Sequence, residues 1–206
     1  MANTTKKKGN CFICKESFGK IAMKNHIMKK HQEGEELCYL LKAEGFYSKD
    51  YWLYFSVPLG STLEVVDKFL RQIWCECCGH LSSFSVGRME VSMNTKLSCF
   101  QEGDALLYEY DFGTTTCILL TVVEEITRPK QKGKVLLYAR NEQPDVVCDF
   151  CGGEGKYFNA YEYELLCEKC ESALDDEEGF ILPIVNSPRC GACGYEGEMD
   201  IWTFVP

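Results

Sequence analysis

The chain has 206 residues, of which 46% are hydrophobic, and a formal net charge of −9. This length suffices for one domain of ordinary size with small modules beside it. The N-terminal sequence lacks the apolar stretch of a secretion signal, and no run of about 18 apolar residues predicts a membrane helix. We therefore expect a cytoplasmic protein whose cysteines stay reduced.

The positive charge is concentrated at the N-terminus. Residues 1–32 contain eight lysines and one acidic residue, Glu16, whereas the rest of the chain contains 14 basic and 30 acidic residues. A basic segment on an acidic body indicates that this segment, and not the whole surface, contacts a polyanion. The plainer alternative is a solvated tail that only keeps the protein in solution.

The basic segment also contains a predicted zinc site. Cys11 and Cys14 are separated by two residues, and His26 and His31 follow with four residues between them. A hairpin would present the two thiolates, and one face of a helix would present the two imidazoles. This arrangement suits a tetrahedral zinc ion. Residues 11–31 resemble the Cys2His2 zinc finger family, with one residue fewer than usual between the second cysteine and the first histidine.

This resemblance implies a helix that docks on nucleic acid. Lys20, Lys24 and Asn25 would then approach bases near the helix start. Phosphate contacts would come from the lysines of the arm and of the helix end, which are Lys6, Lys7, Lys8, Lys29 and Lys30. Since one finger reads only about three base pairs, we expect a general phosphate contact with DNA or RNA, and docking on a protein is the alternative.

The middle of the chain predicts an α+β fold. A linker is expected near residues 33–36, a strand at 51–57, and a helix from a capping box of Ser61 and Glu64 up to Trp74. Further strands are predicted at 84–86, 105–112, 117–123 and 134–139. We expect a small antiparallel sheet with one main helix over residues 37–142, flanked by the ββα-type zinc finger at 1–33 and a zinc ribbon at 143–206.

The ribbon is predicted from two further pairs of cysteines. Cys148 and Cys151 are followed, after fifteen residues, by Cys167 and Cys170. This spacing is typical of a four-cysteine zinc ribbon, a closed site that holds a fold together, so we expect no catalysis there.

A third zinc site is predicted between distant parts of the chain. Cys78 and His80, in a Cys-Glu-Cys-Cys-Gly-His run that begins at Cys75, are expected to share an ion with Cys190 and Cys193. In the alternative interpretation, His80 is a hydrogen-bonded core residue and some of these cysteines are small buried hydrophobes. The cysteines without a partner at zinc spacing are expected to be core thiols: Cys38, Cys99 and Cys117.

The central region also resembles a known family. The sequences ECCGHLSSF (76–84), YEYDFGTT (108–115) and ARN (139–141) are similar to the ORF-three-like family of root-inducing plasmids, often labelled as insertion-element passenger proteins. The later run NSPR…G…CGY (186–195) is similar to a zinc-bearing branch of that family. The resemblance implies an α+β domain found near mobile elements, with no accepted catalytic mechanism.

These observations favour a noncatalytic zinc-binding protein that acts as a nucleic-acid-binding or adaptor protein, and we assign no catalytic residue. The alternative is a zinc-dependent nuclease or hydrolase with an open site near His80 and Asp111. An aspartate at a turn followed by a glycine with positive φ explains the Tyr-Asp-Phe-Gly run at 110–113 more simply. Four protein ligands at the third site would indicate a structural ion, whereas three ligands and a water would favour the enzyme.

Overall fold

The computed structural model describes residues 8–174, 180–199 and 202–205. None of the helices in these ranges is both long and apolar enough to span a membrane. The helices are α1 (Lys20–Lys30), α2 (Leu63–Leu70), which continues into a π-helical turn (Arg71–Cys75), and α3 (Glu168–Glu171). The strands are β1 (Lys8–Cys11), β2 (Ser17–Gly19), β3 (Glu36–Gly45), β4 (Trp52–Pro58), β5 (Ser82–Val86), β6 (Met89–Val91), β7 (Ala105–Tyr110), β8 (Thr116–Arg128), β9 (Leu136–Asn141), β10 (Tyr157–Asn159), β11 (Glu164–Leu166) and β12 (Ile181–Pro183).

Antiparallel sheet dominates the fold, and the predicted α+β class is confirmed at this level. A nine-stranded sheet has the order β2-β1-β9-β4-β3-β8-β7-β5-β6, and a three-stranded sheet has the order β11-β10-β12. The main sheet is larger than expected, because the N-terminal hairpin joins it and because β3 and β6 had been missed. β3 begins at Glu36, the last residue of the expected linker.

The central strands bury both of their faces. Successive side chains of a strand point to opposite faces, so β3 sends Leu41 and Ala43 to one face and Cys38 and Leu40 to the other. The first face packs against α2, through residues that include Phe69. The second packs against α1, so the main sheet lies between two helices.

The start of α2 differs from the prediction. The capping box of Ser61 and Glu64 is wrong, because Thr62 is the N-cap and no side chain caps the helix. Backbone carbonyls take over that role: Leu63 N–H donates to Thr95 O and Glu64 N–H to Met93 O, each at 2.9 Å. The orphan donors of the first turn are thus satisfied by a neighbouring segment.

The N-terminal hairpin is an extension of the main sheet. β1 pairs with β9, with Cys11 opposite Ala139. Met23 and Ile27 of α1 are both 0% exposed and belong to the same apolar cluster as Leu40 and Trp52. The buried side chains of α1 therefore belong to a core that is shared with the sheet.

The shared core predicts that α1 contributes to the stability of the whole chain. We expect Ile27→Ala to lower the free energy of unfolding by about 2–5 kcal/mol, because it leaves a cavity between helix and sheet. The control is Ile21→Ala on the same helix, where the side chain is 78% exposed and the expected change is within about 0.5 kcal/mol. Denaturant unfolding of the full-length protein measures both, and equal effects would indicate that α1 does not contribute to the core of the sheet.

Candidate metal centres

Cysteine and histidine side chains converge at three places in the structure. Within each group the four ligand atoms lie within 4.8 Å of one another, and all fourteen cysteines are free thiols. Groups of four thiolate and imidazole ligands are compatible with zinc. We name the groups the finger cluster (Cys11, Cys14, His26 and His31), the ribbon cluster (Cys148, Cys151, Cys167 and Cys170) and the bridging cluster (Cys77, Cys78, His80 and Cys193).

The finger cluster is assembled by the β1–β2 hairpin and the end of α1. Nε2 of His26 lies 3.2 Å from Cys14 Sγ and 3.0 Å from Nε2 of His31. Burial, reinforced by the positive charge of His26 when protonated, lowers the pKa of His31. A lower pKa favours the neutral imidazole, which is the form that binds a metal ion.

The ribbon cluster lies on the turn at Cys148 and on the start of α3, where Cys167 is the N-cap. Gly152, with φ +72°, allows the tight turn after Cys148, whose carbonyl accepts the Gly152 N–H at 3.0 Å. Burial raises the pKa of the Cys148 thiol, but hydrogen bonds from backbone N–H groups, including those of Cys151 and Cys167, outweigh it and lower that pKa to about 6. The turn therefore stabilises the thiolate that a metal ion requires.

The bridging cluster joins segments that are far apart in the sequence. Cys78 Sγ lies 2.9 Å from His80 Nε2, 3.6 Å from Cys77 Sγ and 3.8 Å from Cys193 Sγ. His80 Nε2 is also 3.3 Å from Cys193 Sγ. The C-terminal segment thus meets the turn that follows α2.

The composition of this cluster corrects the predicted third site, because Cys77 occupies the place expected for Cys190. Cys190 Sγ instead accepts the Val185 N–H at 3.4 Å. Cys75 stays in the core at 0% exposure, and burial raises its pKa. The backbone becomes extended at Glu76, with ψ 120°, so the turn after the helix carries Cys77 and Cys78 away from Cys75. The adjacent cysteines in the sequence contain no signal that selects between these assignments.

The turn that carries Cys77 and Cys78 is held by Glu76. Its carboxylate accepts the Gly79 N–H at 2.6 Å, the Tyr110 hydroxyl at 3.1 Å and Arg71 Nη1 at 3.0 Å. Burial raises the pKa of Glu76, but these donors outweigh it and hold that pKa below its usual value. Glu76 therefore stays ionised and orders the turn.

Asp111 and Arg189 lie directly behind the bridging cluster. Asp111 itself has φ +64°, so the expected positive φ belongs to this aspartate and not to Gly113, whose N–H it accepts at 3.0 Å. Arg189 is 0% exposed and its Nη2 lies 2.7 Å from Asp111 Oδ2. The guanidinium lowers the pKa of Asp111. Arg189 had been noted only as part of a family resemblance.

The lysines of the finger are placed unequally. Lys20 donates to Glu44 Oε2 at 3.0 Å and to the Lys49 carbonyl at 2.9 Å, so it is engaged with the protein itself. Lys24 is partly exposed. The exposed residues of the predicted nucleic-acid surface are Lys8, Asn25, Lys29 and Lys30, while Lys6 and Lys7 lie outside the described residues.

The three unpaired cysteines also differ from one another. Cys38 is buried, as a core thiol should be, and burial raises its pKa to about 11. Cys117 is partly buried, whereas Cys99 is exposed and is not a core residue. The prediction of core thiols is therefore wrong for Cys99.

Comparison with known proteins leaves the family open. No family model matches the chain, and no curated protein matches it. A crystal structure of a protein of unknown function from Methanosarcina mazei Go1 is similar, with 23% identity, a TM-score of 0.46, and coverage of 57% of this chain and 75% of that chain. That degree of likeness carries no functional argument, and the resemblance to the ORF-three-like family stays a prediction.

The clusters predict three zinc ions per chain, measured by elemental analysis of the purified protein. Cys77→Ser should lower the content to about two, because serine is a poor zinc ligand at neutral pH. Cys190→Ser is the matched control and should retain three. Loss of an ion in the Cys190 variant, but not in the Cys77 variant, would contradict the ligand set described here.

Proposed function

We propose that this chain is a noncatalytic zinc protein whose metal ions hold together a surface for binding other molecules. The observation that supports this is the ligand count, since each cluster offers four protein ligands within 4.8 Å. Four protein ligands are typical of structural zinc, whereas catalytic zinc keeps one position open for water or substrate.

In this proposal each ion joins two separate elements of the fold. The finger ion would tie the β1–β2 hairpin to α1, and the ribbon ion would tie the turn at Cys148 to α3. The bridging ion would tie the turn after α2 to Cys193. Zinc binding then contributes directly to folding, as it does in small metal-stabilised modules.

The binding partner we propose is nucleic acid, contacted by the exposed face of α1. Lys29 and Lys30 are exposed at the C-terminal end of α1, beyond Met23 and Ile27, which pack the helix against the sheet. Eight lysines among residues 1–32 give this end of the protein its positive charge. With Lys20 paired to Glu44, phosphate contacts are favoured over the base contacts of a free finger. A role near mobile elements remains part of this proposal.

The zinc-dependent nuclease or hydrolase gains no support from the geometry. His80 lies in a four-ligand cluster, and Asp111 is paired with Arg189. An acid/base pair would need one of them to face a substrate.

The nucleic-acid proposal predicts a salt-dependent affinity that depends on the end of α1. For the double variant Lys29→Ala/Lys30→Ala, we expect weaker binding to duplex and single-stranded oligonucleotides. Each lost phosphate contact should reduce the slope of log K against log salt by about 0.7–0.9. Fluorescence anisotropy over a salt series measures both quantities.

The matched control removes the same charge at the other end of the main sheet. Arg88 and Lys96 are exposed, and Arg88 lies in the turn between β5 and β6, at the sheet edge opposite the finger. Arg88→Ala/Lys96→Ala should leave the slope unchanged. An equal loss in both double variants would point to overall charge alone, and no binding by the unaltered protein would refute the proposal.

A further inference from the structure

A buried ion pair lies behind the bridging cluster and contacts two of its four ligands. Arg189 Nη2 is 2.7 Å from Asp111 Oδ2, and the side chains of Arg189 and Asp111 are 0% and 6% exposed. Neither residue belongs to the cluster itself. Arg189 precedes Cys193 by four residues, and Asp111 immediately follows β7, the neighbour of the strand that begins just after His80.

The positive end of the pair faces a thiol. The same Nη2 that binds Asp111 also lies 3.4 Å from Cys77 Sγ, so one nitrogen is shared between the carboxylate and the sulfur. A charged N–H donor at this distance fixes the position of the sulfur at the edge of the cluster.

The negative end faces the imidazole. Asp111 Oδ1 lies 3.5 Å from His80 Nδ1, on the side of the ring away from the cluster, while Nε2 faces Cys78 Sγ at 2.9 Å. A carboxylate at Nδ1 keeps the proton on that nitrogen and leaves the Nε2 lone pair for a metal ion. The carboxylate also orients the ring.

Arg189 is held so that its Nη2 has little freedom. Nη1 donates to the Thr114 carbonyl at 3.2 Å and to Thr116 Oγ1 at 3.0 Å. The guanidinium carbon lies 4.8 Å from the centre of the Tyr110 ring. A lysine has one ammonium group and cannot make this planar set of contacts.

We propose that Arg189 and Asp111 are positioning residues of the bridging site, which hold the Cys77 sulfur and the His80 ring in place for a zinc ion. This inference rests on the zinc occupancy proposed above for that cluster. It assigns the pair a role in metal affinity in addition to its packing role.

The test uses the full-length zinc-loaded protein and a chromophoric chelator that competes for zinc. Cys193→Ser identifies which zinc equivalent, that is, which of the zinc ions bound per chain, belongs to the bridging site. In Arg189→Lys and in Asp111→Asn, we expect this equivalent alone to bind about 10- to 100-fold more weakly. Asparagine tolerates the positive φ of Asp111, so the second variant preserves the turn if the first fails to fold.

The matched control is Arg128→Lys. Arg128 is also 0% exposed and pairs with a carboxylate, Glu36, at 2.9 Å, but it contacts none of the four bridging ligands. It should leave all zinc affinities unchanged while lowering the stability of the fold. If all zinc ions bind more weakly in Arg128→Lys, as in Arg189→Lys, the effect is a general loss of folding. That result would overturn the inference.

Cobalt substitution gives a readout that packing alone would not change. Removing the N–H donor from Cys77 should make this sulfur a stronger electron donor, so the thiolate-to-cobalt absorption of the bridging site should move to lower energy in Arg189→Lys. If Arg189→Lys keeps the wild-type zinc affinity and its absorption band does not move, the positioning role is refuted, but the proposed zinc occupancy is not. If the unaltered protein holds only two zinc ions, and Cys193→Ser holds the same two, the zinc occupancy itself is refuted and the inference falls with it.

Discussion

The two apolar faces of the main sheet are the constraint on which the rest of the structure depends. Six of the seven residues of β4 are buried, so this strand is covered on both sides. A sheet that is apolar on both faces needs a layer on each. Helix α2 supplies one layer and α1 the other, which makes the finger segment part of the core architecture.

The close approach of β1 to β9 follows from the same constraint. A Cβ on Gly9 would overlap the Arg140 carbonyl and the ring of Trp52, so only glycine fits between the strand and the ring. The hairpin is thereby aligned on β9, and its cysteines are placed beside the end of α1. The same contacts therefore set the positions of the candidate metal ligands and the register of β1 on β9.

The C-terminal segment is attached to the sheet by polar contacts of its own. Asn186 and Asn141 exchange hydrogen bonds of 2.7 and 2.8 Å, and the indole N–H of Trp74 donates to the Asn186 carbonyl at 3.1 Å. Ser187 Oγ donates to the Trp74 carbonyl at 2.7 Å. These contacts fix the start of the segment, and Arg189 and Cys193 then reach the turn after α2. The bridging cluster depends on this attachment.

Ligands close together in the sequence could be predicted, and those brought together by packing could be predicted only in part. Cys78, His80 and Cys193 were expected to share a site and do lie in one group, but the fourth member was assigned wrongly. The spacings of Cys11 with Cys14 and of Cys167 with Cys170 are local, and the structure brings each pair into one group. The presence of Cys77 in the bridging cluster, in place of Cys190, depends on where the backbone leaves the π-helical turn. The spacing of apolar residues in the sequence does not predict that point. Strand positions were recovered from β-branched and aromatic residues, but β3 was missed because its apolar residues occur on both faces and show no alternation.

The attachment of α1 to the sheet limits how this helix could contact another molecule. A free finger can turn its helix into a groove, whereas here Met23 and Ile27 are buried against β3 and β4. Nucleic acid would have to approach a fixed helix that presents Lys29 and Lys30 beside the edge of an acidic protein. Such a geometry favours a short, electrostatic contact with one stretch of the nucleic-acid backbone over recognition of the base sequence. It also means that removing residues 1–32 would expose one face of the sheet, so single side chains are the informative changes at this surface.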